Sequence, residues 1–356
     1  MAEEPKTARR FAAEEGRRFM SRALAAAGLP DADADAVAEA MLFADLRGVD
    51  SHGIVRLPTY IRRLRAGGIN PRPRIHIARE SDATALIDGD NGMGHLVMGF
   101  AARVAMEKAE ACGVAWVGAR ASNHAGAAAC YAMMPLARDM IGLYLAVANN
   151  NHMAPTGGVE PLLGTNPIAI AVPALEEPPV VLDIATTAIS FGRIRNAADA
   201  GESLPEGLVM DYGGRPVTDP KQADHALLLP IGGYKGYGLA LMFSLLGGVL
   251  NGTATGRDTV SIDEANAPGN TGQAIMALKA ANFGPIDEFK RRVDTVARDL
   301  RGSKPLPGVG EVRYPGLQGH GTAAERRRSG IPIRPGFVAA LNRLAADLGI
   351  APPALL

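Results

Sequence analysis

Cysteine is nearly absent: the 356 residues include only Cys112 and Cys130. Two thiols cannot build a disulfide framework and do not have zinc-ribbon spacing, so the chain reads as one suited to a reducing cytoplasm. Neither sign of charge is in excess, with Lys plus Arg and Asp plus Glu both at 37. Without a basic field, and with only a short basic run at Arg326 to Arg328, nucleic acid is not an expected partner. Long apolar runs are missing too. The most apolar stretch, Gly236 to Leu250, falls short of the roughly 20 residues of a membrane span and reads as a buried helix. The amino terminus, MAEEPKTARRFAAEEGRRF, has no apolar signal core, and its alternating charges read as the start of an exposed helix.

Several catalytic templates are missing as well. There is no G-x-x-x-x-G-K-[ST] phosphate loop, and Ser51, within Gly48-Val-Asp-Ser-His-Gly, is not a G-x-S-x-G nucleophile elbow, which argues against a hydrolase. The glycine-rich GDNGMGHLVMG (Gly89 to Gly99) does not fit G-x-G-x-x-G, and no acid follows at the spacing of a second Rossmann strand. A dinucleotide would have to be held by another architecture. His52, His76, His95, His124, His152, His225 and His320 form no H-x-x-x-H pair, so no metal site is expected.

What is present is a soluble, core-forming chain, 47% hydrophobic and 21% charged, long enough for two lobes or for one large domain and a smaller one. Phe11, Phe19, Ala23 and Leu24 fall on one face of a first helix that Gly28-Leu-Pro30 stops; Asp31 caps a second helix running to Leu46, with Gly48 as its terminator. After an extended connection at Pro71 and Pro73, a strand is predicted over 83–90 and a buried helix over 94–112. Strands at 113–119 and 141–148 flank a helix predicted over 124–138. Two apolar runs, 166–174 and 179–185, leave little room for a helix between them, which favours antiparallel or mixed pairing over βαβ winding. A helix is predicted from Thr186, then a polar loop to Asp219, the longest buried helix over 233–252, a loop to Thr271, a strand over 273–279 and helices over 286–301 and 337–348. The expected architecture is α/β, with an antiparallel or mixed central sheet. Residues 1–112 and 280–356 would form a helical portion packed around an α/β region at 113–279.

The most informative stretch is DLRGVDSHGIVRLPTYIRRLRAGGINP, Asp45 to Pro71, which sets Ser51, His52 and Arg56 within six residues just past a predicted helix. An imidazole exchanges a proton with an oxygen near neutral pH, and a guanidinium fork suits a carboxylate, so the set fits chemistry on a small acid. The bland alternative is a helix cap followed by an ordinary turn. ASNHAGAAA (Ala121 to Ala129) joins a strand to a predicted helix start, where free N–H groups receive phosphate. Thr165 and Asn166 offer hydrogen-bonding groups in a second loop. Lys235 in GGYKGYG begins a helix, a poor place for a cation unless an anion compensates.

Six blocks in order, DLRGVDSHGIVRLPTYIRRL, SNHAG, GGVEPLLGTNPIAIAVP, LDIATT, LLPIGGYKGYGLALM and LPG, resemble those of the malate/L-lactate dehydrogenase family from about Ala8 to Leu348. That family includes enzymes for malate, sulfolactate, ureidoglycolate, diketogulonate and cyclic imino acids. The resemblance implies a non-Rossmann α/β fold with a largely antiparallel sheet, NAD or NADP as cofactor with NAD favoured, and a homodimer with its cleft near the subunit interface. It implies His52 as general acid/base, Ser51 as its neighbour, Arg56 as carboxylate anchor and Thr165 as a substrate contact. The cofactor would be held by His124, Ala125, Gly126, Ala127 and Ala128, by Asp183, Ile184 and Ala185, by Tyr234 and Lys235, and by Gly308, Gly310 and Glu311. The implied reaction moves a hydride between nicotinamide and C2 of a 2-hydroxy or 2-oxo acid; the alternatives are reduction of a cyclic 2-imino acid and a non-catalytic cofactor-binding homologue. The chain departs from the family at Ala125, Gln273 and Lys279, and Arg193 stands where some members carry an aspartate that orients the histidine.

Overall fold

The computed structural model describes residues 9–356, except for the side chains of Asp224 and His225; the helix start expected over 1–8 lies outside the described residues. In chain order, strand β1 (Arg9–Phe11) precedes helices α1 (Ala13–Ala26), α2 (Asp31–Leu46) and α3 (Leu57–Arg65). Strands β2 (His76–Glu80) and β3 (Thr84–Gly92) then lead into α4 (Gly94–Cys112), β4 (Val114–Ser122), α5 (Ala128–Ala132) and strands β5 (Met140–Ala146), β6 (Ile168–Val172) and β7 (Val180–Ile184). Next come α6 (Phe191–Ala200), β8 (Val209–Met210), β9 (Leu227–Leu228), α7 (Tyr234–Phe243) and β10 (Gln273–Lys279). The chain closes with α8 (Ile286–Gly302), α9 (Leu317–Ser329), β11 (Ile331–Ile333) and α10 (Pro335–Leu348).

Seven strands form the central sheet in the order β2-β3-β4-β10-β5-β6-β7. Only β3 and β4 run parallel, joined across the buried α4; every other neighbouring pair is antiparallel. The mixed sheet expected from the short spacing of the 166–174 and 179–185 runs is therefore present. It reaches further back than Gly113, because β2 and β3 belong to it. The late strand β10 inserts at its centre between β4 and β5, with Ile275 opposite both Val117 and Tyr144.

Two apolar cores follow. One joins α4 to the sheet through Ile87, Met98, Val117, Tyr144 and Ile275. The other combines the two ends of the chain: Phe19, Met41 and Leu57 pack with Ala323, Ile333 and Leu341. The pairing of β1 with β11 ties the same ends together.

Several elements differ from the sequence expectation for local reasons. Phe11 is the last residue of a strand, not a member of the first helix, and its ring fills the space at Gly16, where a Cβ would lie 2.2 Å from it. The helix expected over 124–138 shrinks to α5 and a tight turn at Met134–Arg138, since Gly126 takes φ +74° and Pro135 cannot donate a hydrogen bond. The helix expected at Thr186 starts at Phe191 instead: the backbone of Thr186 is held extended against Thr165 and Ile231, and Ser190 caps α6. The run at 233–252 continues α7 through a wide turn at Ser244–Gly248, but it is buried on one face only, through Gly236, Ala240, Phe243 and Gly247. Leu239, Met242, Leu246, Val249 and Leu250 face outward, Leu250 at 63% exposure, and the 19-residue α4 is the longer helix. Helices α3 and α9 have no counterpart in the expectation.

One buried side chain fixes the long 253–271 segment to α3. The Arg63 guanidinium is 2% exposed and donates to the carbonyls of Ile262, Glu264, Gly68 and Ala267 and to Asn123 Oδ1, at 2.7 to 3.3 Å. Removing it strands several acceptors at once, so Arg63→Ala is expected to cost about 3 kcal/mol or more. Chemical denaturation with the midpoint and slope followed together provides the check; an unchanged midpoint would mean that water replaces the guanidinium without penalty.

Candidate active site

The turn after α2 is built by a buried carboxyl. Asp45, 2% exposed, accepts the Ile54 N–H at 2.9 Å, and a Cβ on Gly53 would lie 1.8 Å from its Oδ1, so only glycine lets the turn close over it. His52 N–H bonds to Val49 O and Arg56 N–H to Gly53 O, completing a tight path from α2 into α3. Arg326 of α9 holds the same turn from the other side, donating to Asp45 O and to the Asp50 carboxylate.

This path brings Ser51, His52 and Arg56 together. Ser51 Oγ lies 2.7 Å from His52 Nδ1, and Arg56 Nε donates to Ser51 O at 2.8 Å. The two Nη groups of Arg56 make no hydrogen bond or ion pair among the described residues. Gly192, in the first turn of α6, closes on Ser51 so tightly that a Cβ on it would lie 3.3 Å from Ser51 Cβ.

A second imidazole completes the site. His124 stacks on His52 with ring centroids 5.3 Å apart and planes 23° from parallel, and its Nδ1 lies 2.7 Å from Tyr60 Oη. His95, from the first turn of α4, meets Tyr60 edge-on at 5.3 Å. It is buried, and both its ring nitrogens are without a partner among the described residues. Burial holds all three histidines neutral: His52 and His95 are pushed down to about 3, and His124 well below the usual imidazole range. The Arg56 guanidinium adds to the effect at His52 and His124.

The other residues singled out by sequence fall into separate groups. Asp183, at the end of β7, accepts the Ala129 N–H at 2.9 Å, so this carboxylate occupies the start of the five-residue α5, the place expected to receive phosphate. Ala125, Ala127 and Ala128 are buried beside it, and Ile184 and Ala185 follow Asp183. Thr165 O accepts from both the N–H and the hydroxyl of Thr186, and the start of α7 packs on Thr186 through Gly236. Tyr234 and Lys235 therefore project from that start into solvent, and the Lys235 ammonium has no partner among the described residues. Gly308, Gly310 and Glu311 lie on an exposed loop, where Glu311 pairs with Arg313. Gly126 alone reaches the histidines, its N–H lying 3.3 Å from His124 Nδ1; no other hydrogen bond or ion pair among the described residues links these groups to the site.

Sequence reading missed Tyr60 and His95. Tyr60 had a usable signal, since it lies four residues after Arg56, about one helical turn on. His95 had none: only the packing of α4 against the loop at Asn123 and His124 brings it to the site.

The Asp45 carboxyl yields a pH test. Burial, opposed by the Ile54 bond, raises it to about 8. An unfolded aspartate ionises near about 4, so the unfolded chain releases this proton first as pH climbs, and Asp45 lowers stability progressively between about pH 4 and pH 8. Asp45→Asn keeps an acceptor for Ile54 and removes the titration. Its stability relative to wild type is expected to rise across that window, at most by about 1.4 kcal/mol per pH unit. Parallel denaturation series at several pH values give the comparison, and two curves that stay parallel would place the Asp45 proton elsewhere.

Comparison with known proteins shows the family and the fold. The family model described as malate/L-lactate dehydrogenase matches residues 11–342. An L-sulfolactate dehydrogenase of Methanocaldococcus jannaschii is 39% identical over 327 residues, covering 91% of this chain and 92% of its own length. A malate dehydrogenase of Pyrococcus abyssi is 37% identical over 341 residues, covering 93% of each. The solved structure of the malate dehydrogenase of Pyrococcus horikoshii superposes with a TM-score of 0.91 at 32% identity, covering 99% of both chains. With the mixed sheet, the serine–histidine–arginine turn and a match along nearly its whole length, the chain belongs to the malate/L-lactate dehydrogenase family.

Proposed function

We propose that the protein is an NAD(P)-dependent oxidoreductase that moves a hydride between nicotinamide and C2 of a small 2-hydroxy or 2-oxo acid. The observation that carries this reading is the unpaired Arg56 fork beside His52 and His124, two neutral imidazoles whose Nδ1 atoms are tied to the protein and whose Nε2 atoms are not. A carboxylate on Arg56 orients the acid, and Ser51 holds the His52 ring. In oxidation the hydroxyl proton passes to His52 as C2 becomes a carbonyl; in reduction protonated His52 returns it. The chemistry that a nicotinamide would supply, held by the residues named below, is the transfer of the hydride. Burial is the larger cause that disfavours imidazolium at His52, and the carboxylate offsets the lesser one, the Arg56 charge.

The donor set fits such a cofactor. Lys235 is an unpaired cation behind two glycines of positive φ, a cradle open to pyrophosphate, and Asp183 offers a carboxylate to ribose hydroxyls. On this reading His124 to Ala128, Asp183 to Ala185, Tyr234, Lys235 and Gly308, Gly310 and Glu311 belong to the cofactor, with NAD favoured. Thr165 belongs to the substrate. The α/β portion at 113–279 then carries the cofactor, and the helical portion from both ends carries the acid anchor.

A screen of oxaloacetate, pyruvate, sulfopyruvate, 2-oxo sugar acids and cyclic imino acids with both reduced cofactors tests the class, and turnover of the imino acids alone would replace it. His52→Ala is expected to lower kcat by about 10² to 10⁴ with little change in cofactor affinity. Arg56→Lys is expected to lower kcat/KM for the acid about tenfold or more, and much less for its carboxamide. Equal losses on acid and amide would make Arg56 a structural residue.

The outward apolar face formed by Leu239, Met242, Leu246, Val249 and Leu250 supports a homodimer built on α7. Leu246→Glu combined with Leu250→Glu is expected to leave a monomer in sedimentation equilibrium. A dimer that survives both charges assembles through another face.

A further inference from the structure

The contacts of His124 point in one direction that neither the family assignment nor the proposed chemistry contains. Its Nδ1 has two neighbours, Tyr60 Oη at 2.7 Å and the Gly126 amide at 3.3 Å. A backbone amide only donates, so this nitrogen is an acceptor and carries no proton. The Tyr60 hydroxyl must then donate to it as well, and the single proton of the neutral ring sits on Nε2. That atom has no protein partner among the described residues and is not among the buried unpartnered atoms, so it keeps access to solvent, on a ring stacked against His52.

We propose that Tyr60 is a positioning residue that, together with the Gly126 amide, holds His124 in its Nε2–H tautomer, so that the site presents one imidazole that exchanges a proton, His52, and one that only donates a hydrogen bond to the bound ligand, His124. The surroundings enforce this division. Tyr60 is 1% exposed, and its ring is held edge-on by His95, whose Nε2 in turn occupies the space that a Cβ on Gly126 would need, 2.9 Å away. A glycine at 126 thus lets the amide reach His124 Nδ1 while His95 backs the loop. A neutral donor suits the oxygen of a carbonyl or carboxamide, and it does not compete with His52 for the reaction's proton. The lock would be weakened if the Tyr60 donor were removed, because the Gly126 amide that remains is the longer and weaker of the two donors, at 3.3 Å against 2.7 Å.

The proposal rests on the reading that this cleft is the reaction site, but its first test does not. Nitrogen NMR of the full-length protein with ¹⁵N-labelled histidine reports the tautomer with no substrate present. Wild-type His124 is expected to show a bare, pyridine-like Nδ1 and a protonated Nε2. Tyr60→Phe keeps the buried ring and removes the donor, and it is expected to give a mixed tautomer with kcat lowered on the order of tenfold and KM for the acid nearly unchanged. A protonated Nδ1 in wild type overturns the proposal, as does an unmixed tautomer in Tyr60→Phe. A mixed tautomer with unchanged kcat leaves the lock but removes its role in turnover, which also overturns the proposal. If no substrate class is turned over at all, the NMR result stands alone and only the reaction reading fails. Should Tyr60→Phe not fold, replacing tyrosine by 3-fluorotyrosine throughout the chain makes the phenol a stronger donor. The His124 Nδ1 resonance is then expected to move from its wild-type position, and an unmoved resonance overturns the proposal.

Discussion

The site depends on one buried carboxyl. Asp45 sits at the end of α2 with its oxygens against Gly53 and the Ile54 amide, and that contact turns the chain so that Ser51, His52 and Arg56 leave on the same side. A buried carboxyl without partners costs several kcal/mol, and here the Ile54 amide and the Arg326 guanidinium share the compensation. Because Arg326 comes from α9, the end of the chain helps to set the geometry of a turn near its beginning. The shared core of both ends and the β1–β11 pair serve the same purpose, holding α9 against α2.

Charge at the site is divided with little overlap. The imidazoles are held neutral by burial and by Arg56, while the guanidinium fork of Arg56 and the ammonium of Lys235 lack counter-ions among the described residues. On the proposed reading, an anionic ligand supplies the counter-charge that these two cations lack. The two halves of the pH response oppose each other. Neutral buried imidazoles lose stability as the pH falls below the ordinary histidine value, and the buried Asp45 carboxyl loses it as the pH rises from about 4 to about 8, so the two slopes overlap and partly cancel below the histidine value.

Much of the sheet is readable because its strands announce themselves by composition and spacing. The two runs that form β6 and β7 are too close together for an intervening helix, and β10 has the bounds expected of it. The failures have common causes. Phe11 reads as helical by spacing but extends to pair with β11, a partner more than 300 residues away in sequence. The helix expected at 186 is delayed because Thr186 is claimed by Thr165 and Ile231. The apolar 233–252 run reads as buried because periodicity cannot distinguish an apolar face turned to the core from one turned outward.

The sequence by itself determined the family, the mixed character of the sheet and the Ser51, His52 and Arg56 set, since these lie in contiguous blocks whose order and local spacing are visible in one dimension. Only the tertiary structure decided that His124 stacks on His52, that Tyr60 and His95 stand behind it, that Asp183 closes the start of α5, and that Arg63 anchors a distant loop. Each of those contacts joins segments with no local signal for one another. Side-chain direction and long-range packing, which set hydrogen-bond partners and burial, exist only once the chain has folded.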